Sequence, residues 1–333
     1  MSIIAVDCMG GDNAPEAVIH GIALYGSDKS RYLLYGDSAV LQPLCESLLN
    51  GINYELCHTD DAVSADVGVM SALRGFRSTS MYHAISAVKD GKADAVVSCG
   101  NTAVYMAGAK ILLRTVDGID RPALAVLIPN LSGVSIALDV GANSEPTSRN
   151  LIEFALMGIA LCSSFLGVEE PSVALMNVAS EELKGTASVK DAAEWLREHV
   201  PSYAGYAEGG DFLSGAYNVV VCDGFSGNVA LKAMEGSAKL LNVALRNAIR
   251  SNFFSLLCGL CLKKVLKREL DRFDPRKHNG AIMIGLRGVV VKSHGNSDAV
   301  AFANALSFAH KIVEAGLLAK ISDRLKACES LCT

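Results

Sequence analysis

The chain has 333 residues, of which 50% are hydrophobic and 20% are charged, and its formal net charge is −5. This composition is typical of a globular protein with a large core and excludes a disordered chain. A general nucleic-acid binder is disfavoured, because it needs a concentrated basic surface and a favourable overall field. We therefore expect one folded unit over residues 1–333, arranged as one or two lobes.

The N-terminus and the cysteines indicate the cellular compartment. Residues 1–7 lack the basic opening and the long apolar stretch of a secretory signal, so we expect a cytoplasmic protein. The ten cysteines show no regular spacing and are expected to be reduced and mostly buried. Cys258 and Cys261 have Cys-x-x-Cys spacing, but no second pair completes a zinc site, so we expect packing or membrane contact there.

A repeated unit organises the chain: a short apolar run, a turn rich in Gly, Asp, Asn and Ser, and a helix-like stretch. The apolar runs lie at residues 3–6, 95–97, 134–138, 219–221 and 289–291. Unbroken apolar strands predict a sheet covered on both faces, and the strand–turn–helix order predicts a doubly wound, mostly parallel α/β fold. Pro15 is expected in the first turn of a helix, and Ser297 is expected to cap a helix that ends near Gly316.

The turns that follow these strands are the predicted ligand site. In a doubly wound sheet, ligands bind outside the carboxyl ends of the strands, where backbone N–H groups and helix N-termini face an anion. For any single turn, Gly and Asn are also explained by the geometry of a tight connection. The turns carry more polar side chains than geometry requires, so we predict that they converge at one end of the sheet. The predicted substrate- and phosphate-binding residues are Asp7, Gly10, Gly11, Asp12, Asn101, Thr102, Asp139, Asn143, Asp223, Gly227, Lys292, His294, Ser297 and Asp298.

Several common chemistries lack their sequence signatures. There is no Gly-x-Gly, and Gly91-Lys92 is followed by Ala93, so neither a dinucleotide site nor a P-loop is expected. Residues 295–299 lack the last glycine of a nucleophile elbow, and the seven histidines lack metal-binding spacing. No cofactor or metal is therefore predicted. A site rich in anion donors but without an obvious nucleophile suits a reaction in which bound phosphate attacks a thioester.

Five blocks of sequence resemble one known family. The blocks are VDCMGGDNAP at 6–15, GKADAVVSCGNT at 91–102, LDVGAN at 138–143, VCDGFSGNVALK at 221–232 and KSHGNSDA at 292–299. In this order, over nearly the whole chain, they resemble the bacterial phosphate acyltransferases of the PlsX type. Those enzymes convert acyl-[acyl-carrier-protein] and phosphate into acyl phosphate for phospholipid synthesis. The resemblance implies the same reaction here, and a fold similar to that of isocitrate and isopropylmalate dehydrogenases and of phosphotransacetylase.

The resemblance also implies particular residues and partners. Lys184 and Asn228 stand in family blocks and are the implied polarising pair for the thioester carbonyl and phosphate. The implied partners are acyl carrier protein as donor, a second subunit in a homodimer, and a membrane glycerol-3-phosphate acyltransferase that uses the acyl phosphate. Two alternatives stay open: a phosphotransacetylase-like enzyme that uses acyl-coenzyme A, and a noncatalytic phosphate- or acyl-chain-binding protein. A hydroxy-acid dehydrogenase is disfavoured because its cofactor motif is missing.

Residues 246–277 form a predicted basic amphipathic helical segment in an otherwise acidic chain. Lys and Arg outnumber Asp and Glu in this stretch, and Phe253, Phe254 and the following leucines make an apolar run too short to span a bilayer. Three interpretations are open. The segment is a peripheral membrane contact, a dimer-interface helix with a solvated basic edge, or a docking surface for acidic acyl carrier protein.

Overall fold

The structure, a computed structural model, describes residues 1–26, 30–64 and 68–331. Over these residues the strands are β1 (Ser2–Asp7), β2 (Ser30–Gly36), β3 (Tyr54–His58), β4 (Ala95–Ser98), β5 (Ala123–Asn130), β6 (Gly133–Leu138), β7 (Val173–Met176), β8 (Tyr203–Ala207), β9 (Val219–Val221), β10 (Ala281–Ile284) and β11 (Val289–Lys292). The helices are α1 (Glu16–Tyr25), α2 (Ser38–Leu48), α3 (Val69–Arg74), α4 (Ser80–Lys89), α5 (Thr102–Leu113), α6 (Ser148–Phe165), α7 (Ala187–His199), α8 (Asp211–Ser214), α9 (Gly224–Arg250), α10 (Phe253–Leu270), α11 (Ala299–Glu314) and α12 (Leu317–Leu331). All five predicted strands are confirmed, as β1, β4, β6, β9 and β11.

The strands form one sheet in the order β3-β2-β1-β4-β11-β10-β5-β6-β9-β7-β8. Strands β1 to β4 and β11 are mutually parallel, and so are β6 to β9. Three antiparallel pairings, β11 with β10, β10 with β5 and β5 with β6, join these two groups. Because the number of reversals is odd, the two groups run in opposite directions. The mostly parallel α/β fold is confirmed. The carboxyl ends of the two groups therefore point in opposite directions along the sheet, although turns from both groups line one cavity.

Helices cover both faces of the sheet, as the unbroken apolar strands predict. Alternate residues of β1 enter different cores, since Ile4 and Val6 join one apolar cluster and Ala5 joins another. The first cluster contains Ile19 of α1 and Phe302 of α11, and the second contains residues of α4 and α5. A strand whose two faces are both buried needs apolar residues at every position, which explains the absence of polar alternation.

Two consecutive helices, α9 and α10, bury very little of their surface. Among the residues that the structure describes, Gly224 and Gly227 are the buried positions of α9, and α10 has none. The basic segment 246–277 comprises the end of α9, all of α10 and two short 3-10 turns. Within the described ranges, no helix is both long enough and apolar enough to cross a bilayer. Helices α9 and α10 contact each other and form a hairpin. Its large exposed apolar side chains include Leu240, Leu241, Val243, Phe253, Phe254, Leu256, Leu257, Leu260 and Leu262.

The described cysteines are free thiols, as predicted. Five of them are buried, namely Cys8, Cys45, Cys99, Cys162 and Cys222. Cys258 and Cys261 are exposed on α10, so packing within this chain does not account for them.

Candidate active site

The turn after β1 is organised around a buried carboxylate. Asp7 is 1% exposed and accepts hydrogen bonds from the hydroxyls of Ser80 (2.6 Å) and Ser98 (2.7 Å). Burial raises the pKa of Asp7, and the two hydroxyls oppose that rise. Gly10 lets this turn approach the turn after β4, because a Cβ at Gly10 would lie 2.8 Å from the backbone nitrogen of Gly100. Through these hydrogen bonds, the buried Asp7 links the turn after β1 to the end of β4 and to the start of α4.

A second buried carboxylate organises the turn after β6. Asp139 is 0% exposed and accepts hydrogen bonds from the backbone N–H groups of Ala142 (3.0 Å) and Asn143 (2.6 Å). Burial raises the pKa of Asp139, and these hydrogen bonds oppose the rise. The Asn143 amide donates to Asp139 and to the carbonyl of Pro122, each at 2.9 Å. Both buried carboxylates shape backbone turns, and direct contact of Asp7, Asp139 or Asn143 with phosphate stays a prediction.

A cavity of about 470 Å³, called the main cavity below, is lined by β5, α9 and turns from both groups of strands. Its polar side chains include Thr102, Asn228, Lys232, Glu235, Lys292 and His294, and Lys232 pairs with Glu235 at 2.9 Å. Its apolar side chains come mostly from β5 and α9 and include Leu124, Val126, Leu127, Ile128, Leu231, Met234 and Ala238. A set of cationic and hydrogen-bonding groups is therefore continuous with an apolar compartment.

Lys292, the last residue of β11, brings a buried ammonium group to the main cavity. It is 7% exposed, and its Nζ donates to the backbone carbonyl of Cys99 (3.2 Å) and to that of Ser293. Other lysines form ion pairs, but no carboxylate among the described residues pairs with Lys292. Burial lowers the pKa of Lys292 to about 8, although nearby acidic groups, including Asp7, oppose the drop. A buried cation without a carboxylate partner is costly, so this site favours an anionic ligand.

His294 and Asn228 add neutral hydrogen-bonding groups to the main cavity. Partial desolvation lowers the pKa of His294, although its side chain keeps contact with solvent. Its imidazole is therefore neutral at pH 7 and can donate one hydrogen bond and accept another. Asn228 lies in the second turn of α9, where its exposed amide can donate to a carbonyl oxygen. Neither group adds charge, and the ammonium of Lys232 is paired with Glu235, so Lys292 is the main attraction for an anion.

A second cavity of about 420 Å³, called the side cavity below, lies at the ends of β7 and β9. The start of α9 separates it from the main cavity, since Phe225 lines the side cavity and Asn228 lines the main one. Apolar side chains, including Leu175 and Val189, form part of its lining. The polar side chains that line it are Ser144, Glu145, Thr186, Ser188 and Asp223.

Lys184 and Asn228 do not line the same cavity. Lys184 lies in the loop between β7 and α7, with 53% of its side chain exposed, and its Nζ pairs with Glu181 at 2.8 Å. Thr186, two residues further along this loop, lines the side cavity. The polarising pair implied by the resemblance therefore stays a prediction, and it requires Lys184 to exchange Glu181 for the substrate.

Three of the predicted binding residues are helix caps. The side chains of Asn101, Asp223 and Asp298 accept hydrogen bonds from backbone N–H groups at the starts of α5, α9 and α11. The prediction that Ser297 caps α11 is wrong, because Asp298 does so by accepting from the N–H of Ala301 at 2.9 Å. The Ser297 hydroxyl instead lies 2.8 Å from that of Ser293. Asp and Asn serve equally well as caps and as polar site residues, so sequence alone does not separate these roles.

The remaining predicted residues join the turn after β1 to its neighbours. Gly10, Gly11 and Ser297 line a small recess beside this turn. The backbone N–H of Asp12 donates to the carbonyl of Gly295 at 2.8 Å, which links the turn after β1 to the turn after β11. Gly11 has a φ of +110°, a conformation that favours glycine. Gly227 is equally constrained on α9, where a Cβ would lie 2.0 Å from the carbonyl oxygen of Asp139.

Sequence reasoning missed three polar residues that support the site. Ser98 is the last residue of β4, one of the five predicted strands, so its place in the sequence could have indicated a site residue. Ser80 is 73 residues away from Asp7, and no local pattern connects them. Asn279 is 4% exposed, and its amide donates to the hydroxyl of Ser293 at 2.6 Å, beneath the turn that follows Lys292.

Comparisons with known proteins agree with this architecture. The family model described as fatty acid synthesis protein matches residues 2–320. The phosphate acyltransferase of Rhodospirillum rubrum is 44% identical over 335 residues, which covers 99% of this chain and 96% of that protein. Two solved structures share the fold at low identity. A phosphotransacetylase from Streptococcus pyogenes has a TM-score of 0.63 and 17% identity, with 94% of each chain covered. A 4-hydroxythreonine-4-phosphate dehydrogenase from Klebsiella pneumoniae has a TM-score of 0.52 and 14% identity, with 94% of this chain and 100% of that chain covered. The chain belongs to the fatty acid synthesis protein family, together with the curated phosphate acyltransferases.

Proposed function

We propose that the chain transfers the acyl group of acyl-[acyl-carrier-protein] to inorganic phosphate, in phospholipid synthesis. The observation that carries this proposal is the buried Lys292 ammonium, which has no carboxylate partner among the described residues and lines a cavity with a large apolar wall. Such a cavity suits an anion and a hydrocarbon chain at the same time. Membership of a family whose curated members are phosphate acyltransferases supports a transferase that uses both.

The reaction needs little acid–base chemistry from the protein. Phosphate binds at Lys292, and the acyl chain lies along the apolar side chains of β5 and α9. A phosphate oxygen attacks the thioester carbonyl carbon, so that a C–O bond forms and the C–S bond breaks. Because an ordinary thiol has a pKa of about 8.5, the thiolate leaves without strong protonation. Positioning the two substrates and stabilising the carbonyl oxygen in the transition state are then the main requirements.

Asn228 and Lys184 are the proposed catalytic residues. The Asn228 amide lines the main cavity, where it can donate to the carbonyl oxygen as negative charge develops on that atom. Lys184 reaches the same carbonyl from the loop between β7 and α7, once its ion pair with Glu181 is broken. Breaking this ion pair costs little, because both side chains are exposed. Thr102 and His294 are proposed to donate further hydrogen bonds to phosphate in the main cavity.

The decisive experiment measures acyl phosphate. Purified protein is mixed with phosphate and a long-chain acyl carrier protein, and acyl phosphate is trapped with hydroxylamine and quantified. Asn228→Ala and Lys184→Ala are each expected to lower the rate by about 100-fold, the usual cost of losing one donor to a developing oxyanion. Asn242→Ala, on the exposed surface of the same helix, and Lys320→Ala, on α12, are the matched controls.

The outcome also separates the alternatives. A higher kcat/KM with acyl-coenzyme A than with the carrier protein would favour the phosphotransacetylase-like enzyme. Binding of phosphate without turnover of either thioester would favour a noncatalytic binding protein. Near-normal rates in folded Asn228→Ala and Lys184→Ala would remove the proposed catalytic pair but leave the reaction itself in place.

The exposed hairpin of α9 and α10 is the proposed contact surface for partners. It combines exposed apolar side chains such as Phe253 and Phe254 with the basic residues of segment 246–277. We propose a homodimeric cytoplasmic protein that touches the membrane peripherally here and delivers acyl phosphate to a membrane glycerol-3-phosphate acyltransferase. Sedimentation with anionic vesicles should fall when Phe253 and Phe254 are both changed to Ser. Equal sedimentation would leave the second subunit and acyl carrier protein as the occupants to test.

A further inference from the structure

The side cavity and the main cavity share a wall. This wall is made by the start of α9 and by the turn after β6, which pack together without room for a side chain at the two buried glycines. A Cβ at Gly224 would lie 2.8 Å from the carbonyl oxygen of Asn143. Phe225 and Asn228, which open to opposite cavities, are three residues apart, or about 4.5 Å along the helix axis. Because Phe225 and Asn228 are both exposed, a small group that lies across the exposed edge of this wall can have substituents in both cavities.

The two cavities differ in the charge of the side chains that line them, so they favour different ligands. The main cavity contains one acidic side chain, Glu235, which pairs with Lys232 at 2.9 Å, and it contains Lys292, which has no carboxylate partner among the described residues. The side cavity is lined by two acidic side chains, Glu145 and Asp223, and by no Lys, Arg or His among the described residues, so it repels phosphate. Its other polar side chains are the hydroxyls of Ser144, Thr186 and Ser188, and apolar residues fill the space between them. The side cavity therefore suits a neutral, flexible chain that carries amide and hydroxyl groups.

We propose that the side cavity binds the neutral pantetheine arm of the thioester donor. A thioester has two substituents, the acyl chain on its carbonyl carbon and the carrier arm on its sulfur. In carrier proteins and in coenzyme A alike, that arm is a neutral chain with amide groups and a hydroxyl. With the acyl chain and phosphate in the main cavity and the arm in the side cavity, the carbonyl lies at the wall beside Asn228. This inference rests on the proposed function, because it divides the proposed donor between the two cavities.

The inference is tested by filling the side cavity. Ser144 is exposed and lines this cavity, so Ser144→Trp obstructs it without disturbing a core. Two donors with the same acyl chain are compared, the pantetheine thioester and the ethanethiol thioester, which lacks the arm. We expect Ser144→Trp to raise KM for the pantetheine thioester by about tenfold or more and KM for the ethanethiol thioester by less than about twofold. KM for phosphate should not change, and Ser47→Trp, exposed on α2, should behave as wild type.

Binding is measured independently of turnover. Saturation-transfer NMR with free S-methyl pantetheine should show binding to wild type and to Ser47→Trp, and loss of binding to Ser144→Trp. If the tryptophan lowers the melting temperature, Ser144→Leu repeats both measurements with a smaller obstruction. Equal effects on the two donors, unchanged binding of S-methyl pantetheine, or a rise in KM for phosphate would each overturn the inference. Absence of acyl phosphate from wild type with both donors would instead overturn the proposed function, and the NMR result would still decide what the side cavity binds.

Discussion

The buried ammonium of Lys292 should make the stability of the protein depend on pH in a defined way. The side chain has a pKa of about 8 in the folded chain, against the ordinary value of 10.5. At pH values between these two, the unfolded chain holds a proton on this lysine that the folded chain has lost. The free energy of unfolding therefore rises with pH across this window. Methionine has a similar length but no charge, so Lys292→Met removes this contribution and leaves the other titrating groups in place.

The size of the effect follows from the same pKa. The drop from 10.5 to about 8 corresponds to roughly 3 kcal/mol at 1.36 kcal/mol for each pH unit. At 7% exposure, solvent screens little of this energy. Urea unfolding of wild type and Lys292→Met at pH 7 and pH 10 should show the free energy of unfolding of wild type gaining about 2–3 kcal/mol relative to the variant. A difference between the two proteins that stays constant from pH 7 to pH 10 would refute the assignment of Lys292 as a desolvated cation.

Three further perturbations test the cavity and its support. In wild type, KM for phosphate should rise above pH 8 as Lys292 loses its proton. In Lys292→Arg, KM for phosphate measured from initial rates should stay constant with pH, because the guanidinium stays charged. Ala238→Phe narrows the apolar part of the main cavity, so kcat/KM should shift toward shorter acyl chains with KM for phosphate unchanged; an unaltered chain-length profile would place the chain elsewhere. Gly227→Ala should lower the free energy of unfolding by about 1–3 kcal/mol, because the new Cβ meets the Asp139 carbonyl at 2.0 Å. Gly236→Ala, on the same helix with open space around it, should instead raise that free energy by up to about 1 kcal/mol, and equal denaturation curves for the two variants would contradict this packing.

The fold was predictable from sequence as far as local patterns reach. Five apolar runs became strands because each one is buried on both faces, as Ile4, Ala5 and Val6 of β1 show by entering different cores. The direction of the second group of strands was not predictable, because it depends on the antiparallel pairing of β10 with β5, which lie far apart in the chain, as well as on the two local pairings β5–β6 and β10–β11. An apolar run has the same pattern whichever way the strand runs.

The sequence predicted several residues of the site, but it did not predict what their side chains contact. Lys292 and His294 were identified from their turn, and the structure places both in the main cavity. Asp223 and Asp298 were predicted from the same kind of turn, but their side chains cap helices. The desolvation of Lys292 depends on residues from several strands, so the sequence could indicate a lysine there but not its lowered pKa.

In the proposed reaction, this protein forms acyl phosphate from a carrier-bound acyl group. Phosphorus NMR of purified protein with long-chain acyl carrier protein and phosphate follows the product directly, while a thiol reagent follows release of the carrier. We predict that an acyl phosphate signal appears in step with free thiol, and that both depend on added phosphate. Release of thiol without acyl phosphate, at a rate independent of phosphate, would show hydrolysis and would contradict acyl transfer to phosphate.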